Sequence, residues 1–464
     1  MVFSSVEFLF YFLPIALILC CAVPMKFKNP MLALTGLVFY AWGEPIYVIV
    51  LIITAIINYV AGILMSKSEN RRRLVLALSI ILNLAILFIF KYTSFAITTI
   101  NSIFNISIPD PGLPLPIGIS FFTFQSMSYT IDVYIGTCKP QRNFVSFFAY
   151  IAMFPQIVAG PIVKYQDVEE QLNQRTVSLS KFSEGVTIFV FGLAKKVLLA
   201  NNIGTIWTEI KAMDYSEMPA LTAWIGIISF TFQIYFDFSG YSDMAIGLGK
   251  MLGFDFMENF NLPYLSKSVS EFWRRWHISL SSWFREYVYF PLGGSREGKI
   301  KTVRNLLIVW LLTGLWHGAS WNFVLWGLWF GILIVIEHLG FSKVLKKLPK
   351  PISWLYTMLA VVIGWVFFDT DSLSLGVQYL GAMFGAGGSF LNSQSSALLA
   401  EAAIPLALCL FFSSGATGNY ISRLGGKDSK VVMAITPIAT AALLIACTAY
   451  LVNSSYNPFL YFNF

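Results

Sequence analysis

Long apolar runs separated by short polar connections repeat along the whole chain. They lie near residues 8–25, 31–65, 74–100, 117–136, 144–158, 182–201 and 220–249, and again near 303–316, 320–340, 353–368, 397–413 and 431–452. Each is long enough for a helix, a helix pair or a re-entrant segment, and at about 20 residues per crossing they predict about ten to twelve transmembrane helices. The fold class is therefore all-α and polytopic. The longer polar connections, 101–116, 159–181, 255–304, 369–396 and 414–430, are too short for a separate soluble domain, and no repeat or low-complexity tract is visible. Residues 1–464 read as one membrane domain.

Composition excludes the soluble classes: 57% of residues are hydrophobic and 12% charged, where a soluble domain carries about a quarter charged. The opening Met1 to Glu7 lacks a positive n-region and a small-residue cleavage site, so the first span is expected to be retained. Lys and Arg gather at Lys26 and Lys28, at Lys67 with Arg71 to Arg73, from Lys250 to Arg304, from Lys343 to Lys350, and from Arg423 to Lys430. The positive-inside rule puts these loops in the cytoplasm and both chain ends outside. A net charge of +7 then marks topology beside an anionic leaflet. With no nucleic-acid motif present, the bilayer is the expected partner and nucleic acid is not. Four of the five cysteines lie in apolar spans, which argues against a disulfide framework or a cysteine metal site.

Polar residues inside apolar runs narrow the chemistry. His317 sits in Thr313-Gly-Leu-Trp-His-Gly-Ala-Ser-Trp321, and a full charge at membrane depth costs about 2.5–3.5 kcal/mol, so such a residue marks a functional position. A continuous helix would put Thr313 and Gly314 one turn before it and Ser320 and Trp321 one turn after. Gly314 and Gly318 leave room for another backbone or a substrate chain. The competing role is a histidine that joins helices by a hydrogen bond. His277 follows Trp273, Arg274, Arg275 and Trp276 in a segment of aromatics, arginines and hydroxyls that suits an interfacial or re-entrant position; an aromatic-belt role is its alternative. His338, beside Glu337, reads as a membrane-boundary residue. Gln233, Asp237 and Tyr241 form one helical stripe and Gln125, Tyr129 and Asp132 another, each either bundle packing or a polar wall. Phe154 to Pro161 reads as a second re-entrant turn. No metal-ligand spacing, nucleophile elbow, P-loop or dinucleotide fingerprint appears. What remains is a base and binding apparatus for a transferred group.

The motifs Met1-Val-Phe-Ser-Ser5, Phe39-Tyr-Ala-Trp42, Pro116 to Gln125, Phe154 to Pro161, Phe236 to Asp243, Glu271-Phe-Trp-Arg-Arg-Trp-His277 and Leu315-Trp-His-Gly318 resemble the membrane-bound O-acyltransferases over nearly the whole chain. The likeness is to the bacterial branch typified by the alginate O-acetylase. The resemblance implies a ring of tilted helices plus re-entrant helices around a central tunnel, in a bacterial cytoplasmic membrane. His317 matches the catalytic histidine and His277 the second histidine of the active region. Gln125, Asp237, Tyr241, Trp273, Arg274, Trp276, Gly314, Trp316, Gly318, Ser320 and Trp321 become expected tunnel walls. Tyr461, in the aromatic ending, is either an acyl relay or an interfacial anchor. The expected donor is an acyl-CoA, acetyl-CoA above others, used as a substrate with no bound cofactor. The acceptor is a polysaccharide or peptidoglycan hydroxyl reached through a separate extracytoplasmic acetyltransferase of the SGNH or alginate-acetylation type. D-alanyl transfer to teichoic acid and a small-molecule transporter or channel are the alternatives.

Overall fold

Every regular element among the described residues is a helix. The computed structural model describes residues 1–158, 160–423, 426, 429–453 and 456–460. Among the described residues eight helices are long and apolar enough to cross a membrane: Val48–Lys67, Glu69–Phe104, Leu179–Lys211, Ala220–Met251, Trp321–Lys347, Lys350–Asp369, Ser393–Ser413 and Lys430–Asn453. Phe8–Cys21 is a shorter apolar helix. Other apolar runs are buried within the protein. Residues 117–136 give the 17-residue helix Ile119–Ile135, buried at nearly every position. Residues 144–151 give a helix of 8 residues, Phe144–Ile151. Residues 152–158 and 160–163 are buried irregular backbone, with Gln156 Nε2 donating to the Tyr150 carbonyl at 2.7 Å. Such backbone needs protein partners in place of lipid.

The described chain divides into two compact units, one of Met1–Phe189 with Tyr241–Glu258, the other of Val190–Gly240 with Asn259–Phe464. In the first, polar side chains join the helices: Asn58 Nδ2 donates to Asn83 Oδ1 at 2.9 Å and Thr130 Oγ1 to Asn58 Oδ1 at 2.6 Å. Between apolar helices these bonds supply the specificity that burial alone cannot.

In the second unit, Lys299–His317 packs against the Trp321–Ile336 helix, which also packs against Lys350–Asp369. Two glycines set that first crossing. A Cβ on Gly314 would lie 2.3 Å from the Phe323 carbonyl oxygen, and one on Gly327 would lie 2.4 Å from that of Trp310. Only hydrogen fits between the backbones. Among the described residues five π-turns occur, at Phe8–Phe12, Phe88–Tyr92, Lys195–Ala200, Arg285–Tyr289 and Glu337–Phe341, a distortion that frequently marks functional positions. Three of them hold buried ionisable residues, Lys91, Lys196 and Glu337. The Glu337 carboxylate accepts from the Val269 and Ser270 amides at 2.7 and 2.9 Å and from the Ser270 hydroxyl at 2.5 Å. It thereby fixes the start of the segment that ends in His277.

Candidate functional site

His317 is the last residue of its helix, because Gly318 turns to extended backbone (φ −161°, ψ 151°) and Ser320 caps the next helix from an extended conformation. The expectation that Ser320 and Trp321 continue the His317 face one turn on is therefore corrected: the helix stops, and Trp321 is 53% exposed. The imidazole itself is 1% exposed inside an aromatic box. Its ring centroid lies 4.8 Å from Trp326, 5.0 Å from Trp316 and 5.5 Å from Phe368, each edge to face. The space beside Gly318 is filled by the Phe323 ring and that beside Gly314 by the neighbouring helix backbone.

His277 arrives from a different segment. The Val269–Arg275 helix ends, Trp276 is extended, and His277 adopts the left-handed conformation (φ 45°, ψ 55°) before Ile278–Phe284 begins. Such backbone in a non-glycine residue is uncommon and is retained where surrounding structure over-determines it. Phe238 packs edge-on at 4.7 Å, and Asn259 holds the ring. Asn259 Oδ1 receives the Ser279 amide at 3.1 Å and its hydroxyl at 2.9 Å, and faces His277 Nδ1 at 3.2 Å. Because the Ser279 N–H can only donate, the atom facing it is the amide oxygen, so His277 Nδ1 carries the proton and Nε2 the lone pair. Burial pushes the imidazole pKa down to about 3, which keeps the ring neutral at physiological pH.

The two histidines, 40 positions apart in sequence, come to a centroid separation of 6.4 Å. A pocket of about 440 Å³ reaches His277, lined also by Trp273, Arg274, Ser281, Arg285 and Trp310, and by Thr313 one turn before His317. Ser270, Arg274, Tyr289 and Leu306 are common to a second cavity of about 600 Å³. Lys267, Arg274, Lys346, Lys350 and His338 line it with Glu271 and Glu337. Both carboxylates are engaged: Glu271 pairs with Arg275 at 2.8 Å and Glu337 binds the amides above. Among the described residues no three His, Cys, Asp or Glu gather as metal ligands.

A buried imidazole pair thus lies beside a cavity that shares residues with a cationic cleft. Residues 141–368 match the membrane-bound O-acyltransferase family. The chain is 40% identical to the probable alginate O-acetylase AlgI of Pseudomonas putida, over 100% of both chains. The chain belongs to the membrane-bound O-acyltransferase family. It is 33% identical to the peptidoglycan O-acetyltransferase of Helicobacter pylori, over 84% of this chain and 80% of that one. It is 29% identical to the teichoic acid D-alanyltransferase of Bacillus subtilis, over 54% and 66% respectively. This O-acyltransferase is a multi-pass membrane protein of the alginate O-acetylase-like branch, and the transporter reading gives way.

The remaining expected wall residues are distributed between the units. Trp273, Arg274, Trp276, Gly314, Trp316 and Gly318 lie in the unit that holds both histidines; Gln125 and Tyr241 lie in the other. There the Gln125 amide donates to the Tyr150 carbonyl at 2.9 Å and Tyr241 stacks on Phe3 at 4.5 Å. Asp237 pairs with Lys196. Tyr461 lies outside the described residues. Asn259, Glu337, Trp326 and Phe368 were not singled out from the sequence. An acidic residue closing the apolar run 320–340 was the one visible signal among them. His338, read as a boundary residue, lines the cationic cavity.

Proposed function

We propose that this acyltransferase moves an acetyl group from a cytoplasmic thioester, acetyl-CoA, to a hydroxyl outside the cell, ending on a polysaccharide or peptidoglycan through a separate extracytoplasmic acetyltransferase. The observation that carries the reading is the cationic cavity sharing a wall with the His277 pocket. Lys267, Arg274, Lys346 and Lys350 suit the phosphates of a CoA-type donor, whose acyl arm then extends toward the histidines. The positive-inside distribution supports a cytoplasmic-membrane orientation with this cleft inside and both chain ends outside.

In this mechanism the acceptor hydroxyl lies between the rings. His317 takes its proton as the oxygen attacks the thioester carbonyl, and His277, held through Nδ1 by Asn259, forms the facing wall. The C–S bond breaks, the thiolate leaves toward the cationic cleft, and the proton on His317 passes to it. The aromatic box excludes water that would hydrolyse the thioester.

The test is transfer of radiolabel from acetyl-CoA to a co-purified protein or glycan in proteoliposomes. Label transfer that is lost in His317→Ala supports the reading. Transfer from a D-alanyl carrier protein with none from acetyl-CoA overturns it in favour of the sibling activity.

A further inference from the structure

The strongest polar constellation outside the histidine pair is a buried ion pair with a second duty. Lys196 and Asp237, each with a side chain 2% exposed, meet at 2.5 Å. Gly240, three residues beyond Asp237, lets their helices close: its Cβ would lie 2.7 Å from the Gly192 carbonyl oxygen and 3.0 Å from the Lys196 amide nitrogen. Removing two charges from water costs several kcal/mol per ion, and an apolar pair of like volume is often as stable. The pair therefore calls for a role other than stability.

That role is visible in what else the two groups bind. Lys196 Nζ also donates to the Pro458 carbonyl, and Asp237 Oδ2 accepts from the Leu460 amide at 3.0 Å. Around them Asn201 Nδ2 donates to Asn457 Oδ1 at 3.3 Å, and the Tyr456 hydroxyl meets Thr208 Oγ1 at 3.0 Å. Phe459 is buried. The segment from Tyr456 to Leu460 is thus gripped by main chain and side chain, and the ion pair holds both ends of its last turn. Asp237 is followed by Phe238, whose ring packs on His277. One residue of helix separates the grip on the carboxy-terminal segment from the wall of the active site.

We propose that Lys196 and Asp237 are positioning residues that dock the carboxy-terminal segment Tyr456–Leu460 against the helix whose Phe238 packs on His277, and that acyl transfer to the acceptor requires the segment docked. The inference rests on the acyl-transfer reading above. The donor's cationic cleft shares no residue with this grip, so docking governs the acceptor half of the reaction and leaves donor binding alone.

The decisive variant is Lys196→Met with Asp237→Leu, which replaces the pair by apolar groups and spares the core. Three quantities are read on the full-length protein in proteoliposomes: amide hydrogen exchange at 456–460, the KM for acetyl-CoA, and kcat for label transfer. We expect exchange at 456–460 to accelerate at least tenfold and kcat to fall at least tenfold, with donor KM and melting temperature held. The charge exchange Lys196→Asp with Asp237→Lys restores a pair but reverses the donor and acceptor that Pro458 and Leu460 need, so it should fail likewise. Wild-type kcat in the apolar variant overturns the proposal, as does unchanged exchange at 456–460, or a fall in kcat matched by a lower melting temperature and a raised donor KM. If the wild-type protein transfers no label at all, the acyl-donor reading is what fails, and the exchange measurement still decides the docking.

Discussion

Replacing Gly314 by alanine should damage catalysis far more than one methyl group suggests. The new Cβ would lie 2.3 Å from the Phe323 carbonyl oxygen and 3.2 Å from the Gly327 Cα. Ordinary contact begins near 3.4 Å, so the two helices must part by about 1 Å, since backbone on both sides leaves no side chain to rotate away. His317 follows three residues later, and Trp310 one turn earlier packs on Trp273 at 4.8 Å. The separation therefore moves the base and the pocket wall together. Overpacking of this kind costs about 1–3 kcal/mol of stability, and a misplacement of about 1 Å at the reacting centre costs about 10²-fold in rate. The assay is label transfer from acetyl-CoA with donor KM and kcat resolved, at a temperature where the variant stays folded. We expect kcat down about 10²-fold with donor KM near wild type, reproduced by Gly327→Ala from the other helix. Gly418→Ala, whose Cβ meets nothing within 4 Å, is the control. Wild-type kcat in folded Gly314→Ala would refute the claim that this crossing sets the site.

His317→Ala should lower kcat by about 10²–10⁴-fold, the usual worth of a general base, and His317→Gln should not restore it; recovery with glutamine would mean the ring only packs. Arg274→Gln with Lys350→Gln should raise the acetyl-CoA KM about tenfold and flatten its salt dependence without changing kcat, read from titrations at two ionic strengths. For His277, the folded pKa of about 3 lies below the ordinary value of 6.5. Stability is therefore full above about pH 6.5 and lost as pH falls toward 3, by at most about 1.4 kcal/mol per unit. Melting temperature should drop more between pH 7 and pH 5 in wild type than in His277→Gln, and equal drops would show that His277 does not carry the effect.

Much of the chemistry was legible in the residues, because a histidine or aspartate inside an apolar run is conspicuous whatever surrounds it. The motifs around His277 and His317 pointed to the family that the comparisons show. The span count was less legible. The helix Ile119–Ile135 lies in an apolar run yet is buried at nearly every position, and a run of apolar residues does not by itself distinguish lipid from a buried neighbour.

The sequence alone determined an all-helical membrane acyltransferase and singled out His277 and His317 among its three histidines, since periodicity and motif are local properties of the chain. Only the tertiary structure decided that Gly318 ends the His317 helix, and that Asn259 sets the His277 tautomer. It also brought Lys346 and Lys350 to a cleft shared with Arg274, and gave Lys196 and Asp237 the carboxy-terminal segment to hold. A helical repeat fixes which residues share a face, whereas which faces meet depends on how closely two backbones can approach. At Gly314 and Gly327 that approach is set by the absence of a side chain, and its consequence appears only once both helices are in place.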